Sequence, residues 1–437
     1  MSVEKYRRAL RGNLATPMGK IDKIIGMMME ATGPMANIGD VCKIYPNISA
    51  RYSKRAALAE VVGFKEDKVL LMPYDDNYGI GPGNIVESTG EKLMIKVSDE
   101  LIGRIVDGTA NPIDGLQPIK NFEYYPIMGK PTNPLTRPMI SEKITMGVKT
   151  IDSLLTFGKG QRMGIFAGSG VGKSTLMGMI ARNVSADVNV IALVGERGRE
   201  VREFIAKDLG EEGMKRSILV VATSDQPAMI RSKCALVATA IAEYFKDKGN
   251  DVLLMMDSLT RFAMAQREIG LAIGEPPVAR GYTPSIYTAL PKLLERSGNF
   301  GNGSITGLYT VLVEGDDMNE PIADTVRGII DGHIVLSRQV AMRNHYPAID
   351  VQASVSRLMQ AITEEKQYEL AGKMRNVMAT YYSNYDLITI GAYKKGTNPK
   401  IDDAIMRMDR INKFLQQGVS ESFTYEQTLE LMKEAMS

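Results

Sequence analysis

The sequence predicts an α/β protein in three parts: a small N-terminal β-barrel, a central parallel sheet wrapped by helices, and a helical C-terminal region. Three observations predict it. Short apolar runs punctuated by Gly, Pro, Asn and Asp fill residues 18 to 91, buried-strand runs alternate with helical stretches between 160 and 340, and helical periodicity takes over from about 358. A chain of 437 residues has room for roughly three domains of about 150 residues each. The changes of rhythm divide it into 1–91 (N-terminal arm and barrel), 92–357 (sheet domain) and 358–437 (helices).

Taken in order, residues 1 to 16 have the spacing of a short helix, with Val3, Tyr6 and Leu10 on one side. The runs "KIDKIIGMMM", "DVCKIY", "LAEVVGF" and "KVLLMPY" read as strands of a small β domain, and closure into a barrel removes its exposed edges. Pro and Gly crowd residues 107 to 138, which read as connection without a regular element. The sheet strands are "RMGIF" (162–166), "VNVIALV" (188–194), "SILVVAT" (217–223), "DVLLMMD" (251–257), "TGLYTVL" (306–312) and "HIVLS" (333–337). Continuous apolar runs of this length, separated by helices such as "AMIRSKCALVATAIAEYFKDK", belong to a parallel sheet covered on both faces. Near the C-terminus, "KIDDAIMRMDRINKFLQQG" reads as a helix ending at Gly418, and "TYEQTLELMKEAM" as the last helix.

Composition sets bounds on function. Hydrophobic residues at 44% and charged residues at 24% are ordinary for a globular protein, and a net charge of +2 gives no support to a dedicated nucleic-acid binder. Cys42 and Cys234 lack metal-like spacing and read as free thiols in a reducing compartment. No apolar run is long enough to span a membrane, and charges occupy the place of a signal peptide's apolar core, so a cytoplasmic protein is expected.

The chemistry begins at "AGSGVGKST", directly after the apolar "MGIF". The phosphate-binding loop G-x-x-x-x-G-K-[ST] here has Ala167 in its first position, then Gly168, Ser169, Gly170, Val171, Gly172, Lys173, Ser174 and Thr175. Glycines turn backbone N–H groups onto phosphate oxygens, Lys173 brings a point charge to the β and γ phosphates, and the Ser174 hydroxyl can ligate Mg2+. With this strand–loop–helix context the central part reads as a P-loop (RecA-like) ATPase domain using ATP and Mg2+.

Two acidic positions extend the site. Asp257 ends "DVLLMMD" and can hold Mg2+ through its shell, although an Asp before the helical "SLTRFAMAQRE" can equally be a helix cap. "GERGRE" follows the strand "VNVIALV", which sets Glu196 at the carboxyl edge of the sheet, where open α/β folds bind ligands. There Glu196 can orient and polarise the attacking water and Arg197 can meet the developing charge; the alternative is a solvated cluster of alternating charges.

The motifs "MGVKTIDSLLTFGKGQR", "AGSGVGKST", "GERGREVREF", "DSLTRFAMAQREIGLAIGEPPVARGYTPS", "LPKLLERSG" and "YPAIDVQASVSR", in that order, resemble the flagellum-specific and other type III protein export ATPases, relatives of the rotary ATP synthase catalytic subunit. The resemblance covers most of residues 20 to 437. It implies that Lys173 and Ser174 are the P-loop lysine and Mg2+ ligand, Glu196 the catalytic glutamate, Arg197 and Arg261 residues near the γ-phosphate, and Asp257 the second acidic site. It further implies that Arg357 is an arginine finger for a neighbouring subunit, and that Tyr346 and Phe423 are the two aromatic faces of an adenine pocket. Without the resemblance, Tyr346 reads as ordinary packing and Arg357 as a surface cation.

One chain type carrying both Glu196 and Arg357 can build every site of a ring, so a homohexamer with sites between subunits is expected. The resemblance also implies a stator-like regulatory subunit, a central shaft protein, an export gate, export substrates and chaperones as partners, at the cytosolic face of a membrane apparatus. The loop "GEPPVARGYTP" (274–284) is then expected to face the ring's channel. A virulence-type secretion ATPase, an RNA-translocating ring motor and a non-catalytic nucleotide-holding subunit remain as alternatives. Residues 18–91 lack the basic and aromatic interleaving that stacks bases, and the presence of Glu196 speaks against the last.

Overall fold

The structure, a computed structural model, describes residues 18–46, 56–76, 79–129, 133–313, 315 and 317–437. The helix expected within residues 1 to 16 lies outside them. Six antiparallel strands close a barrel in the order β1-β2-β5-β4-β3-β6: β1 (Met18–Ile25), β2 (Met28–Thr32), β3 (Asp40–Tyr45), β4 (Ala57–Lys65), β5 (Lys68–Pro73) and β6 (Ile85–Lys92). Alternate residues point inward, so that Ile21, Met29, Ala31, Cys42, Ile44, Ala59, Val61, Val69, Leu71 and Val86 fill the interior. Cys42 and Cys234 are both buried and unbridged, and burial pushes the Cys42 thiol up to about 12.

The barrel docks onto the sheet domain through a buried ion pair. Glu60 on β4 receives Lys233 Nζ at 2.7 Å, from the helix Ala228–Asp247, and the Tyr74 hydroxyl at 2.5 Å. Removing one partner strands the other charge in a dry interface, so Glu60→Ala is expected to cost on the order of 3 kcal/mol in thermal unfolding. Glu60→Leu combined with Lys233→Met should recover most of that loss. A single variant that melts with the parent would mean that this pair does not hold the barrel.

The segment 107 to 138, expected to be connection, contains a strand, Glu123–Pro126, among its described residues, and two further short strands precede it. β7 (Met94–Val97) pairs with β9 (Glu123–Pro126), and β8 (Ile105–Asp107) adds itself in parallel to an edge of the main sheet. Strands of three or four residues among Pro and Gly carry too little periodicity to be read locally. They form because the main sheet and the helix Ala228–Asp247 supply a template.

The remaining strands are β10 (Lys143–Ile144), β11 (Phe157–Gly158), β12 (Arg162–Ala167), β13 (Val188–Glu196), β14 (Ser217–Thr223), β15 (Asp251–Asp257), β16 (Gly298–Asn299), β17 (Ser304–Leu312), β18 (Gly332–Leu336) and β19 (Ile349–Ser356). The main sheet runs β19-β18-β12-β17-β15-β13-β14-β8, parallel except for β19, with β16 hung on β17. Its central strands β12, β13, β14, β15 and β17 are mainly apolar because each face has its own cover. Val190, Ala192, Val220, Leu254 and Met256 pack under the helices Ala228–Asp247, Leu259–Ala272, Pro284–Leu294 and Pro321–Ile329. Ile191, Leu193, Leu219, Leu253 and Met255 face the helices Lys149–Leu154 and Lys173–Asn183.

The C-terminal helices Glu365–Ser383, Pro399–Leu415 and Tyr425–Met436 close over that second face, contributing Met374, Met378, Met408, Ile411, Phe414 and Met432 to the same core. The first of the two C-terminal helices read from sequence stops at Leu415 rather than Gly418, because Gln416 turns to extended backbone. Thr424 caps the second with a full capping box to Gln427. Among the described residues no helix is long and apolar enough to cross a membrane.

Candidate active site

The carboxyl ends of β12, β13, β15 and β17 meet at one edge of the sheet, and each delivers one part of the site. β12 runs into the loop 168–172, and the helix Lys173–Asn183 starts immediately after Gly172. Gly172 has φ 90°, a left-handed conformation in which any side chain is strained, and a Cβ there would already lie 3.7 Å from the Tyr346 ring. The loop therefore folds as a shell of backbone at the mouth of a helix, with Ser169, Gly170 and Ser174 exposed, Val171 buried beneath, and Thr175 bonded to Asp208.

Lys173 leans across β17 and sets Nζ 2.5 Å from Asp257 Oδ1, at the end of β15, and 3.7 Å from Glu196 Oε1, at the end of β13. Thr310 on the intervening β17 donates to the same Asp257 oxygen at 2.7 Å. The helix after Asp257 is capped by Ser258, whose hydroxyl accepts from Arg261 N at 3.3 Å, so the Asp257 carboxylate serves the site rather than the helix end.

Glu196 reaches the site through a bulge. The register of β13 on β14 slips between Val194 and Glu196, at Gly195 with φ 69°, where a Cβ would press on Arg261 at 3.1 Å. Arg261 donates to Gly195 O at 2.7 Å and to Glu196 Oε2 at 3.3 Å, and its Nε stands 3.0 Å from Glu196 Oε1. That last contact is an ion pair without hydrogen-bond alignment, and it leaves Glu196 Oε1 and Arg261 Nε as buried polar atoms lacking a hydrogen bond. Burial, followed by the charge of Asp257, pushes the Glu196 carboxyl up to about 7 against the opposing pull of Lys173. A side-chain hydrogen bond joins it to Glu200, which that bond holds below the ordinary carboxylate range.

These features fit a magnesium nucleotide. The glycine shell and Lys173 suit a polyphosphate, while the orphaned Glu196 Oε1 and Arg261 Nε suit a water and a phosphoryl oxygen. Among the described residues no group of three or more His, Cys, Asp and Glu side chains is placed to hold a metal ion. Mg2+ bound to a nucleotide's phosphates would take the Ser174 hydroxyl as a ligand, with Asp257 behind it.

Not every residue singled out from sequence joins this cluster. The Arg197 side chain is 76% exposed and turns back to Glu200 at 3.2 Å, because it begins a short helix, Gly198–Glu203, on the solvent side. Arg357 lies at the other end of the sheet. Leu336 is level with Ala167 at the mouth of the loop, whereas Gly332, roughly 13 Å down β18, is level with Ser356. The Arg357 guanidinium is exposed there and donates to Arg327 O at 3.3 Å, beyond reach of its own chain's Lys173.

Tyr346, 45% exposed, flanks the loop, and Phe423 is half-buried on the segment before the last helix. The loop 274–284 is shaped by Gly274 with φ 91°, by Ser285 N donating to Glu275 at 3.1 Å, and by Arg280 on Asp317 at 2.7 Å. Thr310 and Glu200 escape a reading by motif; Glu200 closes the quoted "GERGRE", and Thr310 is the hydroxyl of a strand that is otherwise apolar at its carboxyl end.

Known proteins share this arrangement. Residues 21–90 match the beta-barrel domain and residues 147–356 the nucleotide-binding domain of the ATP synthase alpha/beta family, and residues 363–434 match the T3SS EscN ATPase C-terminal domain. The flagellum-specific ATP synthase of Bacillus subtilis is 57% identical over 411 residues, covering 94% of this chain and 93% of that protein. The assembled ATPase EscN of the enteropathogenic E. coli type III secretion system superposes with a TM-score of 0.90 at 45% identity, covering 96% of this chain and all of that one. EscN solved with its central stalk EscO superposes with a TM-score of 0.88 at 44% identity, over 96% of this chain and all of that one.

Proposed function

The chain belongs to the ATP synthase alpha/beta family, in the branch of the flagellum-specific and type III secretion ATPases, and from that premise we propose that it works as a homohexameric ring that energises type III protein export. It is an ATP-hydrolysing enzyme. The observation that carries the reading is the convergence of Lys173, Glu196, Arg261 and Asp257 from four segments onto one edge of the sheet.

In this reading the backbone of 168–172, with Lys173 and Thr175, holds the phosphates, and Ser174 with Asp257 holds Mg2+, which screens phosphate charge. Glu196, near neutrality in its pKa, takes a proton from the attacking water, and Arg261 steadies the charge that develops beside it. Arg197 swings inward from its exposed position as the site closes. Arg357 of one copy completes the site of the next, and Tyr346 and Phe423 enclose the adenine. Residues 1–91, 92–357 and 358–437 serve as N-terminal arm with barrel, P-loop ATPase domain and helical C-terminal domain.

Flagellar export is favoured by the 57% identity to a flagellum-specific relative, against 48% to a type 3 secretion system ATPase of Xanthomonas euvesicatoria and 45% to EscN. A central shaft protein as partner is supported by the EscN–EscO assembly. A stator-like subunit, export gate, chaperones and substrates at the cytosolic face of the apparatus complete the proposal.

The test is the specific rate of Mg-ATP hydrolysis across a dilution series, with and without RNA. Activity per chain should rise with protein concentration and be indifferent to RNA. A dilute monomer as active as the concentrated protein would remove the shared site, and a large, salt-sensitive stimulation by RNA would replace export by nucleic-acid translocation.

A further inference from the structure

Tyr346 and Phe423 belong to segments far apart in sequence, so something must fix the distance between them. We infer that Gln417 is that positioning residue, and that it sets how tightly the protein holds the base of its nucleotide; this rests on the reading of Tyr346 and Phe423 as the base pocket.

Gln417 is 5% exposed and lies just past the helix Pro399–Leu415. Its backbone N–H donates to Tyr346 O at 3.0 Å. Its side-chain Oε1 accepts from Lys149 N at 2.8 Å, and its Nε2 donates to Gly147 O at 2.9 Å and to Glu421 O at 3.0 Å. One residue thus joins three segments: its backbone holds the Tyr346 segment, while its side-chain amide ties the turn 146–149 that precedes the helix Lys149–Leu154 to the turn leading to Phe423. The next N–H, of Gly418, closes that last turn on Glu421 Oε2 at 2.8 Å.

The anchor is firm. Asp152, fully buried, accepts from Met146 N and Gly147 N at 2.8 Å each, so Gln417 grips a turn already fixed from beneath. Lys149, only 7% exposed, directs Nζ at the rings of Phe423 (4.7 Å) and Phe414 (5.8 Å) and backs Phe423 with a cation. An amide suits this place because it donates and accepts at once, which neither a carboxylate nor a thioether does. None of these bonds touches the phosphate loop, so loosening them should be felt at the base end of the nucleotide alone.

The experiment compares KM for ATP, kcat, and the inhibition constant of magnesium tripolyphosphate, which occupies the phosphate end only, in the parent and in Gln417→Ala, Gln417→Met and Tyr346→Ala. Gln417→Ala should raise KM for ATP about tenfold and leave the tripolyphosphate constant where it was, with the loss in KM rather than kcat. Gln417→Met keeps the volume, so it should fold where Ala does not and show the same split. An unchanged KM in a folded Gln417 variant while Tyr346→Ala raises it overturns the inference and leaves the base pocket standing. A parallel weakening of tripolyphosphate also overturns it, because the effect would then be general loosening. If Tyr346→Ala leaves KM unchanged, the base-pocket reading itself fails.

Discussion

A chain carrying Arg357→Ala will bind Mg-ATP as the parent does and hydrolyse it about a thousandfold more slowly or worse, the scale of an arginine finger withdrawn in related phosphoryl transfers. The expectation follows from position. Arg357 stands at the amino end of the parallel strands, beside Asp331 and Arg327, while the phosphate loop opens at their carboxyl end. Within one chain it can neither help nor hinder nucleotide binding, so its loss should appear only where a neighbour depends on it. The decisive measurement is a mixture. Arg357→Ala and Glu196→Gln are each expected to be inactive alone, yet a mixed assembly contains sites in which an intact Glu196 meets an intact Arg357. Recovered hydrolysis on mixing supports the shared site. A mixture as inactive as its components, or an Arg357→Ala chain that turns over normally, removes it.

Glu196→Gln is expected to lower kcat by about 10² to 10⁴, the usual contribution of a positioned general base. The amide keeps size and hydrogen-bonding capacity but cannot receive the water's proton. The parent should also show an acid limb in its rate profile. As the proposed base Glu196 must be a carboxylate, and burial beside Asp257 raises its pKa to about 7, so activity should climb with pH through that region and level off above it. In the Gln variant this limb should vanish along with the rate. A variant that hydrolyses ATP at the parent rate would mean that the protein uses another base, or none.

The parts of the fold legible in sequence are those whose local pattern and long-range role agree. β13, β14, β15 and β17 are buried on both faces and announce themselves as unbroken apolar runs. β6 closes the barrel with only Val86 and Ser88 buried along "IVESTGEK", too little pattern to stand out. β19 is an antiparallel edge strand with much of its length open to solvent, so "IDVQASVS" suggests a motif before it suggests a strand.

The site divides in the same way. Lys173 and Ser174 are spelled out by a contiguous loop, and Glu196 and Asp257 by their places at strand ends. Arg261 needs the resemblance, since one arginine in an amphipathic helix is unremarkable. Gln417 and Thr310 are invisible in sequence because their partners lie far along the chain: Lys149 for the first, Asp257 for the second. Arg197, next to Glu196 in sequence, directs its side chain to the solvent side and to Glu200.

The ion pair between Lys173 and Asp257, at 2.5 Å, has a consequence for turnover. The lysine's charge is already balanced by a carboxylate fixed to the sheet and steadied by Thr310, so an incoming phosphate must compete with an internal rival for it. On the proposed reading, entry would be an exchange of one anion for another, with a gentler grip on nucleotide than a bare ammonium would give. If Lys173 holds the phosphate as proposed, the carboxylate would recapture the lysine as the cleaved phosphate departs and so quench the charge that would otherwise detain the product.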